Sequence, residues 1–183
     1  MAEINHFEHV VTDKLNKSRK WQKALAILGY IFVDAALFWL LFRINPFLIA
    51  LLALSTWIMV FFTWRYLNVE YEYSIDSGIL TFTKIYGNRK RKEFFSVKLK
   101  DISKIAPLED PYIAEAETYA PEKSYYGVPV LDMNDVFYAL FDDEDNKRSV
   151  FYFQMTTAAL KHFKFYCSSA FPAAMHYSFQ NPD

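Results

Sequence analysis

The sequence predicts an α+β chain in which an N-terminal transmembrane helical hairpin leads into an antiparallel β domain capped by a C-terminal helix. Three observations carry that prediction. Two apolar runs, residues 24–42 and 47–64, stand back to back with only Arg43-Ile44-Asn45-Pro46 between them. Beyond residue 65 the apolar pattern changes to a period of two, and over residues 156–171 it changes again to helical spacing.

Nineteen residues of α-helix rise about 28 Å, close to the hydrocarbon thickness of a bilayer. The first run carries one charge, Asp34, and the second has only Ser55, Thr56 and Thr63 as polar residues. Neither reads as the one-sided stripe of a soluble core helix. A cleaved signal peptide fits poorly, because the first run is too long for an h-region and a second span follows at once.

Lys14, Lys17, Arg19, Lys20 and Lys23 crowd the approach to the first span, whereas the loop has a lone Arg43. Lys and Arg stay on the cytoplasmic side, so both termini are expected in the cytoplasm, with the loop outside. Trp21 and Trp64-Arg65-Tyr66 then mark the inner interface and Trp39 the outer one. Cys167, the lone cysteine, fits a reducing compartment. Residues 1–23 read as an amphipathic cytoplasmic segment: Ile4, Phe7, Val10, Val11 and Leu15 suggest a helix lying on the leaflet. His6 and His9 would share a face of that helix, but a metal site needs more ligands than these two.

Residues 65–183 form the second unit. Residues 69–75 and 79–86 alternate around an Asp76-Ser77-Gly78 turn, which gives a β-hairpin. Gly87-Asn88 marks the next turn, followed by strands at 93–99 and 102–106. Residues 107–134 carry four prolines and no period, so they read as a surface excursion with one helical turn around 113–117. Residues 136–141 and 149–154 make a second hairpin across the acidic turn Asp142-Asp143-Glu144-Asp145, which lacks the spacing of a calcium loop. In the final helix, Leu160, Phe163, Cys167, Ala170 and Phe171 share one face.

The step from the second span into Tyr71-Glu72-Tyr73-Ser74-Ile75, the basic Asn88-Arg89-Lys90-Arg91-Lys92 turn, and the stretch from Val97 to Pro107 resemble a Firmicute-type bacterial membrane-protein family. That family sets two N-terminal spans before a cytoplasmic domain like the pleckstrin-homology (PH) fold, with the final helix plugging a bent sheet. The resemblance implies a location and a fold and no activity. The residues add no G-x-S-x-G, no H-E-x-x-H and no phosphate-binding glycine loop. His162 and Cys167 are five apart, not a facing pair.

The expected function is therefore a membrane-anchored binding or scaffold module without catalysis of its own and without cofactor or metal, recognising a protein or a lipid head group. Its partners are membrane lipids and an integral membrane or cytoplasmic protein. Nucleic acid is not expected, since residues 1–64 carry 6 basic and 4 acidic groups and residues 65–183 carry 14 and 17. Two sets of site residues stand out. Arg89, Lys90, Arg91 and Lys92 form a turn that the up-and-down path of the strands returns to the anionic leaflet. Asp34 lies level with Ser55 and Thr56 across an antiparallel hairpin, where leaving it charged toward lipid would cost roughly 2.5–3.5 kcal/mol. It is expected to be neutral or hydroxyl-paired. The alternative function is an accessory subunit of a membrane transporter or enzyme, docking through the hairpin and Asp34.

A single-cysteine scan checks the topology. Asn45→Cys should react with an impermeant maleimide in intact cells, whereas labelling of Ser77→Cys under the same conditions would invert the model of both termini inside.

Overall fold

The computed structural model describes residues 6–12, 17–87, 90–143, 145–173, 175 and 177–180, with only the backbone at Lys17, Ser18, Arg19, Arg65 and Glu117. The chain begins with a strand, β1 (His6–Thr12). Helices α1 (Lys17–Ile44) and α2 (Ala50–Leu67) follow, joined through a 3₁₀ turn at Pro46–Ile49 whose entry is fixed by the Asn45 side chain accepting from the Phe47 amide. Over Lys20–Ile44 and Pro46–Trp64 the two are long and apolar enough to cross a membrane, and none of either span is buried. Phe32 is 77% and Phe47 85% exposed. Apolar surface of that extent is rare on soluble monomers and marks contact with a membrane or another protein.

Strands β2 (Val69–Asp76), β3 (Ile79–Tyr86) and β4 (Lys90–Lys98) then run antiparallel. The β2–β3 turn has positive φ at both Ser77 (51°) and Gly78 (82°), the geometry that matches the twist of a tight hairpin. A side chain at Gly78 would also meet the Tyr166 ring at 3.0 Å.

The N-terminal segment departs from the expected leaflet helix. It pairs antiparallel with β2 from His6↔Asp76 to Thr12↔Glu70, so the first sheet has the order β1-β2-β3-β4. Phe7 and Val11, four apart, fit a helical face and an alternating strand equally well. Pairing decides: Phe7, His9 and Val11 fall opposite Ile75, Tyr73 and Tyr71, and Val11 is buried with them. His6 and His9 therefore point to opposite faces.

The second sheet has the order β5-β7-β8-β6, from β5 (Ile102–Pro107), β6 (Lys123–Tyr126), β7 (Val136–Asp142) and β8 (Arg148–Gln154). The excursion contains the expected helical turn as α3 (Ile113–Thr118), and also β6, which lies parallel to β8. Rather than a surface loop it covers a small second core of Ala106, Ala116, Tyr138, Leu140 and Val150. Four residues are too few to show a period, which hid β6.

Between the sheets Tyr73, Phe82, Phe137, Phe141, Phe151, Phe153 and Phe163 are fully buried. Helix α4 (Thr157–Cys167) brings Phe163 onto Phe153 with ring centroids 5.2 Å apart. Thr156 caps it, accepting the Ala159 amide at 3.1 Å. Beyond α4 the chain folds back: Asp135, 2% exposed, accepts the Tyr177 hydroxyl and the Gln180 amide at 3.0 Å each.

Because β1 supplies Phe7 and Val11 to this core, residues 66–183 alone are incomplete. Joining Thr12 to Asn68 through a short Gly-rich loop should give a soluble, cooperative domain. Denaturant melts should show residues 66–183 alone to be less stable by about 3 kcal/mol or more, since each large side chain left unburied costs about 1.5–3 kcal/mol. Equal stability would make β1 an ornament of the sheet.

Candidate functional site

The base of the hairpin meets the lower end of the first sheet. Asn68, which ends α2, accepts the Gly87 amide at 2.8 Å and the Lys23 ammonium at 2.7 Å. The rings of Tyr66 and Tyr86 lie 6.3 Å apart. The end of β3 and Gly87 are thereby held beside the ends of both helices.

Of the four cations expected there, Arg89 lies outside the described residues. The other three divide between the two faces of β4. Lys90 pairs with Tyr86 and Lys92 with Lys84, on the face that also carries Tyr71 and Phe82. Lys84 Nζ stands 4.9 Å from the centre of the Phe94 ring and 5.2 Å from that of Tyr71, and Lys92 Nζ stands 5.1 Å from Phe94. The result is a basic rim with an aromatic floor. Lys84 sits mid-strand among apolar residues, so a search for charge runs passes over it.

Arg91 points the other way and is bound to the protein. Its Nη2 lies 3.3 Å from Glu72 Oε2 and its Nη1 donates to Oε1 at 3.4 Å. Burial and the Glu8 carboxylate push the Glu72 carboxyl up, with Arg91 pulling against them. The fold thus favours protonated Glu72, and this contribution is lost as pH rises through the range where the group ionises.

Within the hairpin the Thr56 hydroxyl donates to Asp34, 2.9 and 3.0 Å from its two oxygens, and lies 2.9 Å from the Leu52 carbonyl of its own helix. Ser55 does not join them; its hydroxyl donates to the Leu52 carbonyl at 2.8 Å. Adjacent residues on a helix point about 100° apart, so only one of the two can face α1. A second link between the helices, Tyr30 to Thr63, lies one to two turns nearer the base.

The remaining candidates have structural surroundings. His162 packs on Phe7, with centroids 5.2 Å apart. Cys167 is buried, its thiol pushed up to about 12 by burial alone, and it donates to the Phe163 carbonyl at 3.0 Å. In the acidic turn Lys123 reaches across from β6 to Asp143 and, at 3.1 Å, to Asp145. That pairing holds the Asp143 carboxyl below the usual carboxylate range. No group of three His, Cys, Asp or Glu side chains is arranged to hold a metal ion among the described residues.

Two sheets closed by a C-terminal helix accord with a family comparison. The family described as bacterial PH-like domain (DUF6106) matches residues 5–171. The chain belongs to this family. The match begins at the first strand, so the PH-like unit is interrupted by the hairpin between β1 and β2. Among curated proteins and solved structures, none matches the chain.

Asp34→Asn keeps an acceptor for the Thr56 hydroxyl and should leave hairpin assembly intact. Thr56→Ala should weaken it by about 0.6 kcal/mol, the average of such bonds between membrane helices. Thermal unfolding in detergent micelles reads both. Loss of assembly in Asp34→Asn with no effect of Thr56→Ala would sink the internal pairing and point to an outside partner for the carboxylate.

Proposed function

We propose that the protein is a multi-pass protein of the bacterial cytoplasmic membrane, with both termini in the cytoplasm, whose hairpin holds a PH-like binding module against the anionic inner leaflet. The observation that carries this is the Gly87 amide donating to the Asn68 carbonyl at 2.8 Å, which holds Gly87, just before the basic residues, at the foot of α2. On this reading Lys84, Lys90 and Lys92, at that end of the sheet, lie near the leaflet. A lysine near such a leaflet contributes about 1 kcal/mol, within a Debye length of about 8 Å at physiological salt. Lysine beside an aromatic ring, at the end of the sheet that meets the helices, favours lipid phosphates at a surface. The module has a recognition role and no reaction of its own.

Engagement of Asp34 by Thr56 supports this reading over an accessory subunit that docks through the hairpin, because the carboxylate already has a partner inside the pair.

Vesicle sedimentation of the linked β1–domain protein, in which a short loop replaces the hairpin, tests it. Binding to phosphatidylserine vesicles should be weak, salt-dependent and reduced roughly a hundredfold when Arg89, Lys90 and Lys92 become Gln, about 1 kcal/mol for each cation. Equal binding by the neutralised variant, or binding insensitive to salt, would remove the turn from the membrane surface.

A further inference from the structure

Each sheet ends in an edge strand, β4 in the first and β6 in the second. β4 pairs only with β3, and β6 only with β8, among the described residues. Between these edges runs a groove of about 770 Å³, within the range of known ligand sites. Its floor is aromatic: Phe95 lies 4.8 Å from Tyr125 and 4.9 Å from Phe141, centroid to centroid. Its walls are the β4 backbone over residues 93–98, the start of β6, and the β7–β8 turn.

The charge of the lining is one-sided. Glu93, Asp101, Asp142, Asp143 and Asp145 face Lys98 and Lys123, and Lys123 is itself engaged by Asp143 and Asp145. Such a groove repels phosphate, so neither anionic lipid nor nucleic acid fits it. Its shape suits an extended chain: six residues of β4 span roughly 20 Å at about 3.3 Å each, along an edge whose outward N–H and C=O groups no strand pairs. The edge itself carries Phe94, Phe95, Ser96 and Val97, without the cations Lys90, Arg91 and Lys92 that guard its first three positions.

We propose that this groove takes an extended basic segment of a partner protein, added as a strand along the β4 edge. Alternate side chains of the segment meet the aromatic floor, and those between carry Lys or Arg to the carboxylates of the rim. The site goes beyond the membrane-surface reading, and the two can fail separately, since the groove and the basic turn share no cation.

The test uses the full chain in phosphatidylcholine nanodiscs, which carry no net lipid charge, and a fluorescent Val-Lys-Val-Lys-Val-Lys peptide followed by anisotropy. Saturable binding is expected. It should fall at least tenfold for the Val-Glu counterpart, and at least tenfold for the basic peptide N-methylated at alternate amides, which keeps the charge but cannot pair. Glu93→Lys with Asp145→Lys should also lose at least tenfold, with the melting temperature unchanged, and the milder Glu93→Gln with Asp145→Asn should lose less. Absence of binding, equal binding of the N-methylated peptide, or binding indifferent to both pairs of substitutions overturns the proposal. So does self-association of the chain that the charge reversal abolishes, which would make a second copy the occupant.

Discussion

Everything below the hairpin depends on the pairing of β1 with β2. The seven pairs from His6↔Asp76 to Thr12↔Glu70 join the residues just before α1 to those just after α2. The two ends of the hairpin must therefore emerge side by side, and the domain grows directly from that point. The polar contacts between the helices agree with this register: Lys23 with Asn68, Tyr30 with Thr63 and Asp34 with Thr56 are successive rungs of one antiparallel pair. A hairpin tethered at one end could swing about a single link. Held at both, it fixes which part of the domain lies at its foot.

The sequence carried the elements that are long or strongly periodic. The alternating residues 69–75 and 79–86 around a tight turn admit one pairing, and the structure has it, with β2 running one residue further to Asp76. The apolar runs gave the hairpin to within a few residues, the helices continuing past the apolar part into Lys17 at one end and Leu67 at the other. What was hidden shares one cause: short elements whose state is set by a distant partner. β1 is seven residues, with positions 7 and 11 compatible with either period, and only β2, on the far side of the hairpin, chooses between them. β6 is four residues and exists because β8 offers an edge. Family resemblance placed the PH-like fold without revealing that its first strand precedes the membrane-type helices.

The candidate site was legible by position and less so by composition. Strand geometry brings the end of β3 back toward the helices, where Gly87 donates to the Asn68 carbonyl at the end of α2. Charge counting, however, cannot see which way a cation points. Arg91 and Lys92 are neighbours in sequence, yet alternation sends one to Glu72 and the other to the Phe94 ring. The same alternation recruits Lys84 from the partner strand. Ser55 and Thr56 divide in the same manner on a helix, one turning back to its own backbone and the other reaching Asp34.

β4 holds the two proposed surfaces apart. Its first residues, Lys90 to Lys92, pair with Lys84 to Tyr86 beside the hairpin, and its last, Lys98, pairs with Ile79 at the far turn. The irregularity at Phe82/Thr83 falls between these halves, where the strand changes from basic to apolar and acidic surroundings. Bulges bend and twist a strand, so the two ends of β4 need not present the same face. The cationic end and the acidic groove, some 10–25 Å along the strand at about 3.3 Å per residue, differ in the sign of the ligand that each would attract. On the two proposals each surface would repel the ligand of the other, so a protein segment in the groove would not compete with lipid for the turn.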